Sequence, residues 1–288
     1  MILVTSPNGK TGLSLIKKLQ LQKYPFKVFT SSVSSESILS NHGVKNILVG
    51  NLQNLMDVKL ALKGTTSTYL ITPNFFPDEN SIIKNFISVC KKIRNYKIIL
   101  HSVIHPQIKK LPHHWSRMQV EQKLITSGLN WVILQPTMYM QNILPQLKNL
   151  NLKKFIGMPI PVDKKLSMVD LEDVTDVALN AIVEPNLDYG IYELAGYNLS
   201  LNDQAKIISK IIKELIVAKQ FSIDEAKSYL KIPFRGEYGE RTYETMFNHY
   251  SRFGLDGNSS VLKSLLKRNP TNFSKVVKKY IENNNLNL

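Results

Sequence analysis

Short apolar runs alternate along this chain with longer stretches whose apolar residues recur at helical spacing. MILVT, at the start, is a β-rich run. A loop follows, and TGLSLIKKLQLQ then places Leu13, Ile16, Leu19 and Leu21 along one helical stripe. FKVFTSS predicts a second strand and KNILVGNL a third. LMDVKLALKG predicts a short helix closed by Gly64, and TSTYLITP a fourth strand stopped by Pro73. ENSIIKNFISVCKKI carries Ile82, Ile83, Phe86, Ile87 and Cys90 on one side of a helix. YKIILHSV predicts a fifth strand, SRMQVEQKLITSG a helix ended by Gly128, NWVILQP a sixth strand and GIYELAG a later one. These strands are apolar on both faces, as they must be when helices cover both sides of a sheet. Strands and helices in alternation make βαβ units. The expected fold class is therefore α/β: a doubly wound, Rossmann-like parallel sheet, ordered 3-2-1-4-5-6. LSLNDQAKIISKIIKELI, capped at Ser200 or Asn202, SIDEAKSYL and YETMFNHYSRFGL predict a smaller, mostly helical C-terminal lobe.

Composition narrows the picture. The chain has 288 residues and is 43% hydrophobic, enough for a good core in one large or two fused domains. No apolar run reaches the roughly 18 residues that cross a bilayer, and no basic-then-apolar leader precedes MILVT. The single cysteine, Cys90, rules out an internal disulfide and a cysteine-built metal cage. A cytoplasmic protein is expected. The formal charge is +15, but the lysines are scattered and do not alternate with aromatics. Nucleic acid is not an expected partner. The charge would help attract an anionic cofactor.

VTSPNGKTG, Val4 to Gly12, lies directly after the first strand and opens the first helix. That is the setting of a dinucleotide-binding turn. At the spacing GxxGxxG the three positions are Ser6, Gly9 and Gly12. Gly9 lets backbone approach a pyrophosphate, Gly12 lets the helix pack close, and the helix N-terminus favours an anion. Ser6 occupies the tight-turn position in place of glycine. It is expected to make the turn with a negative φ, followed by the fixed φ of Pro7.

VTSPNGKTGLSLIKKL resembles the VTGATGKTG opening of the NmrA-like family, atypical members of the short-chain dehydrogenase/reductase superfamily. YLITPNFFPDE is similar to that family's fourth-strand ending. HPQIKKLPHHWSRMQVEQKLITSGLNWVILQPTMYMQNI is similar to its central segment, in which a helix ending in SGL leads to a strand ending in QP or RP. FGLDGNSSVLKSLLKRNPTNF resembles its C-terminal signature. The expected division is a dinucleotide-binding domain at 1–137 and 169–197, and a substrate or partner lobe at 138–168 and 198–288.

Ligands of such sheets lie at the carboxyl ends of the strands. This nominates Ser6, Asn8, Gly9, Lys10, Thr11 and Gly12 after the first strand, and Ser31 and Ser32 after the second. Thr72, Pro73 and Asn74 follow the fourth strand, Ser102 and Val103 the fifth, and Pro136 and Thr137 the sixth. FKVFTSSVSS lacks both the acidic residue that holds the ribose of NAD and the arginine that often holds a 2′-phosphate; with Lys10 in the loop, NADP(H) is expected over NAD(H). Lys10 is either a partner for the extra phosphate or a solvated loop lysine.

The superfamily's Tyr-x-x-x-Lys pair is missing. Arg117 stands at the lysine position and His113 four residues earlier. Arg117 can hold a ribose or phosphate, but it does not release a proton near neutral pH. Within the resembled family some members are quinone reductases and others bind dinucleotides as redox-sensing regulators. Two functions are therefore implied: reduction of a small quinone-like or conjugated carbonyl acceptor, or signalling through a protein partner. A reduced quinone can take its proton from water or from a histidine, and His105, His113 and His114 are the candidates, with His113 taken as the catalytic one. The stretch HPQIKKLPHH also reads as a polar surface loop. Trp115, Tyr139 and Asn142 are expected to contact the acceptor, and no metal is expected.

Overall fold

The computed structural model describes residues 1–286 apart from 232, 233 and 235. Those three and residues 287 and 288, all within the range expected for the second lobe, lie outside the described residues. The chain forms two compact units: Met1–Gln135 with Val174–Tyr192, and Pro136–Asp173 with Glu193–Leu288.

In the first unit β1 (Ile2–Thr5), β2 (Phe26–Thr30), β3 (Ile47–Val49), β4 (Ser67–Leu70), β5 (Lys97–His101) and β6 (Asn130–Pro136) are linked by helices. These are α1 (Lys10–Leu21), α2 (Val33–Asn41), α3 (Leu55–Leu62), α4 (Glu79–Cys90) and α5 (Pro112–Ile125). The stretch Pro136–Asp173 of the second unit holds β7 (Met138–Tyr139), β8 (Phe155–Met158) and β9 (Leu166–Val169); α6 (Leu171–Val183) and β10 (Ile191–Leu194) follow. The sheet order is β3-β2-β1-β4-β5-β6-β10. The pairs from β3 through β6 are all parallel. This is the expected order, extended by β10 at the edge.

Leu3 and Leu70 of the sheet are buried against Val58, Ala61 and Leu62 of α3, Ile82, Ile83 and Phe86 of α4, and Val120 and Leu124 of α5. Val4, next to Leu3, is also fully buried but on the other side, since strand side chains alternate. There α1 buries Leu15, Ile16 and Leu19. Ser14 of α1 and Thr175 of α6 share a hydrogen bond of 2.8 Å. Helix α4 starts at Asp78, whose side chain accepts the Ser81 N–H.

Two local features differ from expectation. Helix α2 carries no helical signal in the sequence because its serine-rich face buries only Ser35 and Leu39. Helix α5 begins at Pro112, one turn earlier than expected, since proline suits the first helical position. His113 and His114 are thus in a helix, and His114 is fully buried. The surface-loop reading fails for both.

The second unit adds β11 (Tyr197–Leu199), α7 (Leu201–Ile212), β12 (Val217–Gln220), α8 (Ile223–Leu230), α9 (Gly236–Phe253), α10 (Ser260–Leu266) and α11 (Phe273–Asn283). Ser200 caps α7 in a reciprocal capping box with Asp203, and Ser222 does the same with Glu225 for α8. Two small sheets, β11-β9-β7 and β12-β8, accompany these helices.

Candidate functional site

The loop after β1 is built around Ser6. Its φ is +48°, in the left-handed region, not the negative value expected. For a residue with a Cβ this backbone costs about 1–2 kcal/mol. The structure supplies compensation: Ser6 Oγ donates to the carbonyl of Ile71, just past β4, at 2.9 Å. Thr5 Oγ1 reaches the same carbonyl at 2.8 Å and accepts from the Ile71 N–H, also at 2.8 Å. The turn closes with Gly9 N–H donating to Ser6 O at 3.1 Å. A serine at the first glycine position is thus strained in φ but pinned through its hydroxyl.

Gly12 has the role expected of it. A Cβ there would lie 2.6 Å from Ser6 O and 2.8 Å from Pro7 Cα, so only glycine fits. Gly9 is the N-cap of α1, extended, with no side chain to cap the first-turn N–H groups. Asn8 Oδ1 is buried without a hydrogen-bond partner. An amide oxygen only accepts, so Asn8 Oδ1 would take a donor such as a hydroxyl, while the helix N-terminus suits an anion.

The other nominated positions fall into several environments. Lys10, Ser31 and Asn74 are exposed, Ser32, Pro73 and Val103 half-buried, and Thr11 buried. In the second unit Pro136 is buried, Tyr139 half-buried and Asn142 exposed. Thr137 Oγ1 is buried without a partner, like Asn8 Oδ1. Trp115 is half-buried, with Lys109 Nζ 5.9 Å from the ring centre.

Arg117 is paired within the chain. Its side chain is 3% exposed, with Nε 3.0 Å from Glu79 Oε2. One terminal nitrogen donates to the His101 carbonyl at 3.0 Å. Glu79 also accepts from Thr72 Oγ1 at 2.6 Å, so that hydroxyl is paired within the chain. Burial alone would raise the Glu79 carboxyl, but Arg117, His113 and Thr72 together hold it below the usual carboxylate range. His113 Nδ1 stands 3.7 Å from Glu79 Oε1, too far for a hydrogen bond. Burial pushes its imidazole below the usual range; Glu79 opposes this and Arg117 adds to it. The Phe75 ring lies edge-on to His113 at 5.3 Å.

A second buried carboxylate lies one turn further along α5. Glu121 is 2% exposed. Ser102 Oγ, just past β5, donates to Glu121 Oε1. Gln135 Nε2, on β6, reaches both carboxylate oxygens at 3.0 Å. Burial pushes this carboxyl up, against its hydrogen bonds and the pull of Arg117. His113, Arg117 and Glu121 are spaced i, i+4, i+8, so they share one face of α5. That spacing was legible in the sequence once the helix is started at Pro112. Glu79 and Gln135 carried no comparable signal, since only folding brings them to that face.

The NmrA-like family model matches residues 1–277. The chain belongs to the NmrA-like family. Among its relatives is the NAD(P)H azoreductase of Xenophilus azovorans, 27% identical over 203 residues, which cover 68% of each chain. The NADPH-dependent quinone oxidoreductase of Escherichia coli, complexed with NADPH, has a similar fold: TM-score 0.78 and 20% identity, over 97% of this chain and 99% of that one. NmrA, a negative transcriptional regulator solved in complex with NAD, aligns with a TM-score of 0.76 and 15% identity, over 99% and 98% of the two chains. In this NmrA-like chain the C-terminal signature has a visible anchor. Asp173, fully buried, accepts from Arg268 at 2.8 Å, from the Thr271 N–H at 2.6 Å and from Thr271 Oγ1 at 2.8 Å.

Proposed function

We propose that this chain binds a nicotinamide dinucleotide and reduces a quinone-like or conjugated carbonyl acceptor. The observation that carries the reading is the Ser6–Gly12 turn, which joins β1 to the N-terminus of α1 with Gly9 as its N-cap. Asn8, Gly9, Lys10, Thr11 and Gly12 hold the pyrophosphate, and Ser31 and Ser32 the adenosine ribose. Pro73, Asn74, Ser102, Val103, Pro136 and Thr137 complete the cofactor assignments. The first acidic residue after β2 is Glu36, exposed and already within α2, which supports NADP(H) over NAD(H). The cofactor, when bound in its reduced form, supplies a hydride. Trp115, Tyr139 and Asn142 are assigned to the acceptor. One proton accompanies the hydride, from water or a side chain, and His113 is the side chain the sequence nominates.

The named relatives support a reductase: one is an azoreductase and one a quinone oxidoreductase. A second reading is a dinucleotide-binding sensor acting through a protein partner. His113 and Arg117 in place of the tyrosine and lysine favour it, as does the likeness to a transcriptional regulator. Oxidation of NADPH and NADH with a panel of quinones, enones and azo dyes decides between them. Turnover supports the reductase; calorimetric binding without turnover supports the sensor; absence of binding refutes both.

A further inference from the structure

Glu79 and His113 are each left with one buried polar atom that makes no hydrogen bond, and the two atoms face each other. Glu79 is fully buried at the start of α4. Its Oε2 lies 3.0 Å from Arg117 Nε and accepts from Thr72 Oγ1 at 2.6 Å. Its Oε1 has no hydrogen bond, and neither has His113 Nδ1, 3.7 Å away. The distance is long, but the electrostatics of the pair are one-sided. A carboxylate oxygen only accepts. A lone pair on Nδ1 would set two acceptors against each other in a buried place, whereas an N–H there points a donor at the carboxylate. Protons on both ring nitrogens would put a second cation beside a carboxylate that Arg117 already neutralises, and burial also opposes the charged ring. His114 does not compete for Glu79, because its Nδ1 donates to the His105 carbonyl at 3.1 Å.

The His113 ring stands at the carboxyl end of the sheet, where ligands of this fold bind. Thr72 and Phe75, whose ring centre is 5.3 Å from that of His113, belong to the segment leaving β4; α5 follows the segment leaving β5. Nδ1 is sealed from solvent, yet the side chain is 12% exposed, and Nε2 is neither sealed nor bonded among the described residues.

We propose that Glu79 holds His113 in its Nδ1–H tautomer, so that Nε2 presents a lone pair and accepts a hydrogen bond from a hydroxyl or amide N–H of the bound ligand. Glu79 is a positioning residue that acts through His113. His113 is a binding residue, and it is not the source of the proton that accompanies the hydride. The ligand contact rests on the reductase reading; the tautomer does not.

Long-range proton–nitrogen correlation spectra of the histidine-labelled full chain, free of cofactor, report each ring nitrogen as protonated or bare. Loss of signals in His113→Gln, or in His113→Asn if the first does not fold, identifies His113. The wild type at neutral pH should show a protonated Nδ1 and a bare Nε2. Glu79→Gln removes the charge and should shift the ring towards the Nε2–H form, since the partner of one nitrogen decides which carries the proton. If that variant does not fold, Glu79→Asp, with its carboxylate drawn back by one methylene, should weaken the preference in the same direction. An Nε2–H or doubly protonated ring in the wild type, or an unchanged tautomer in the folded Glu79 variant, overturns the proposal.

Ligand arms locate the donor. A change in the Nε2 signal with NADP+ alone assigns it to the cofactor, and a change only when a hydroquinone is added assigns it to the reduced acceptor. No change with either, in protein that calorimetry shows to bind NADP+, overturns the contact. With an acceptor that the wild type reduces, His113→Ala should raise the KM of the ligand so assigned by about 2- to 10-fold, the share of one neutral hydrogen bond, with kcat little changed. His113→Gln, whose amide oxygen replaces the Nε2 lone pair, should recover that KM. A kcat loss of about 100- to 10,000-fold in both variants is the signature of a proton donor and overturns the binding role. Absence of turnover with every acceptor refutes the reductase reading, and the tautomer is then still decided by the spectra of the cofactor-free chain.

Discussion

Replacing Ser6 by glycine tests whether the serine is a defect in the phosphate loop or a pinned substitute for glycine. The left-handed φ of +48° is the strain that glycine would relieve, about 1–2 kcal/mol. Against this, the variant loses the 2.9 Å hydrogen bond from Ser6 Oγ to Ile71 O, which contributes about 0.5–1.5 kcal/mol. It also gives the unfolded chain more freedom, at a cost of roughly 0.5–1 kcal/mol. Ile71 O keeps its bond from Thr5 Oγ1, so no buried carbonyl is orphaned. The three contributions cancel to within about 1 kcal/mol. Ser6→Ala keeps the strain and loses the bond, so it should be destabilised by about 0.5–1.5 kcal/mol. Urea denaturation of the three proteins gives the order: Ser6→Gly at least as stable as Ser6→Ala, and close to wild type. Calorimetry with NADPH and NADH should show affinities for Ser6→Gly within tenfold of wild type, or about 1.4 kcal/mol. If Ser6→Ala is the more stable variant, the hydroxyl is not what offsets the strain. If the wild type binds no dinucleotide and Ser6→Gly does, the loop is degenerate and both functional readings fail.

Gly9→Asp should fold normally, because a Cβ there meets Ser6 O at an ordinary 3.4 Å, yet lose dinucleotide affinity through negative charge at the start of α1; calorimetry showing unchanged affinity would mean the pyrophosphate lies elsewhere. Arg117→Ala should act first on stability, lowering it by about 3–5 kcal/mol in urea denaturation because Glu79 is left as an uncompensated buried charge; a fully stable variant with only a raised KM for cofactor would restore the ribose or phosphate role. The two buried carboxylates should give opposite pH signatures. Glu79, held below its unfolded value, stabilises the fold above the ordinary carboxylate range and loses that contribution as pH falls through its folded pKa; Glu121, held above its unfolded value, costs stability as pH rises from the ordinary range to its folded pKa. Denaturation across the acidic range should therefore show the wild-type advantage over Glu79→Gln growing with pH and that over Glu121→Gln shrinking; parallel curves would refute the assignment. Asp173→Ala should cost about 1–3 kcal/mol by orphaning the Thr271 N–H, and Asp173→Asn less.

The sequence determined the sheet because burial on both faces leaves a local signature. MILVT, TSTYLITP and YKIILHSV are apolar without alternation, and Ile16 and Leu19 of the expected stripe mark the side of α1 that packs inward, whereas Leu13 is half-buried, Leu21 is exposed and the buried Leu15 lay outside that stripe. Gly12 was legible for a similar reason, since close backbone approach excludes every other residue type. Helix α2 was not, because it sits on the surface with little apolar area to betray its period. The sign of the Ser6 φ was not legible either: it depends on the Ile71 carbonyl, 65 residues away in sequence. The same holds for the polar face of α5. His113, Arg117 and Glu121 are in register on the helix, but what each does depends on Glu79 from α4, Ser102 just past β5 and Gln135 from β6. Local patterning sets where apolar surface must go. The charge state and partners of a buried polar group are set by whichever distant residues the fold brings to hydrogen-bond distance, and only the tertiary structure chooses them.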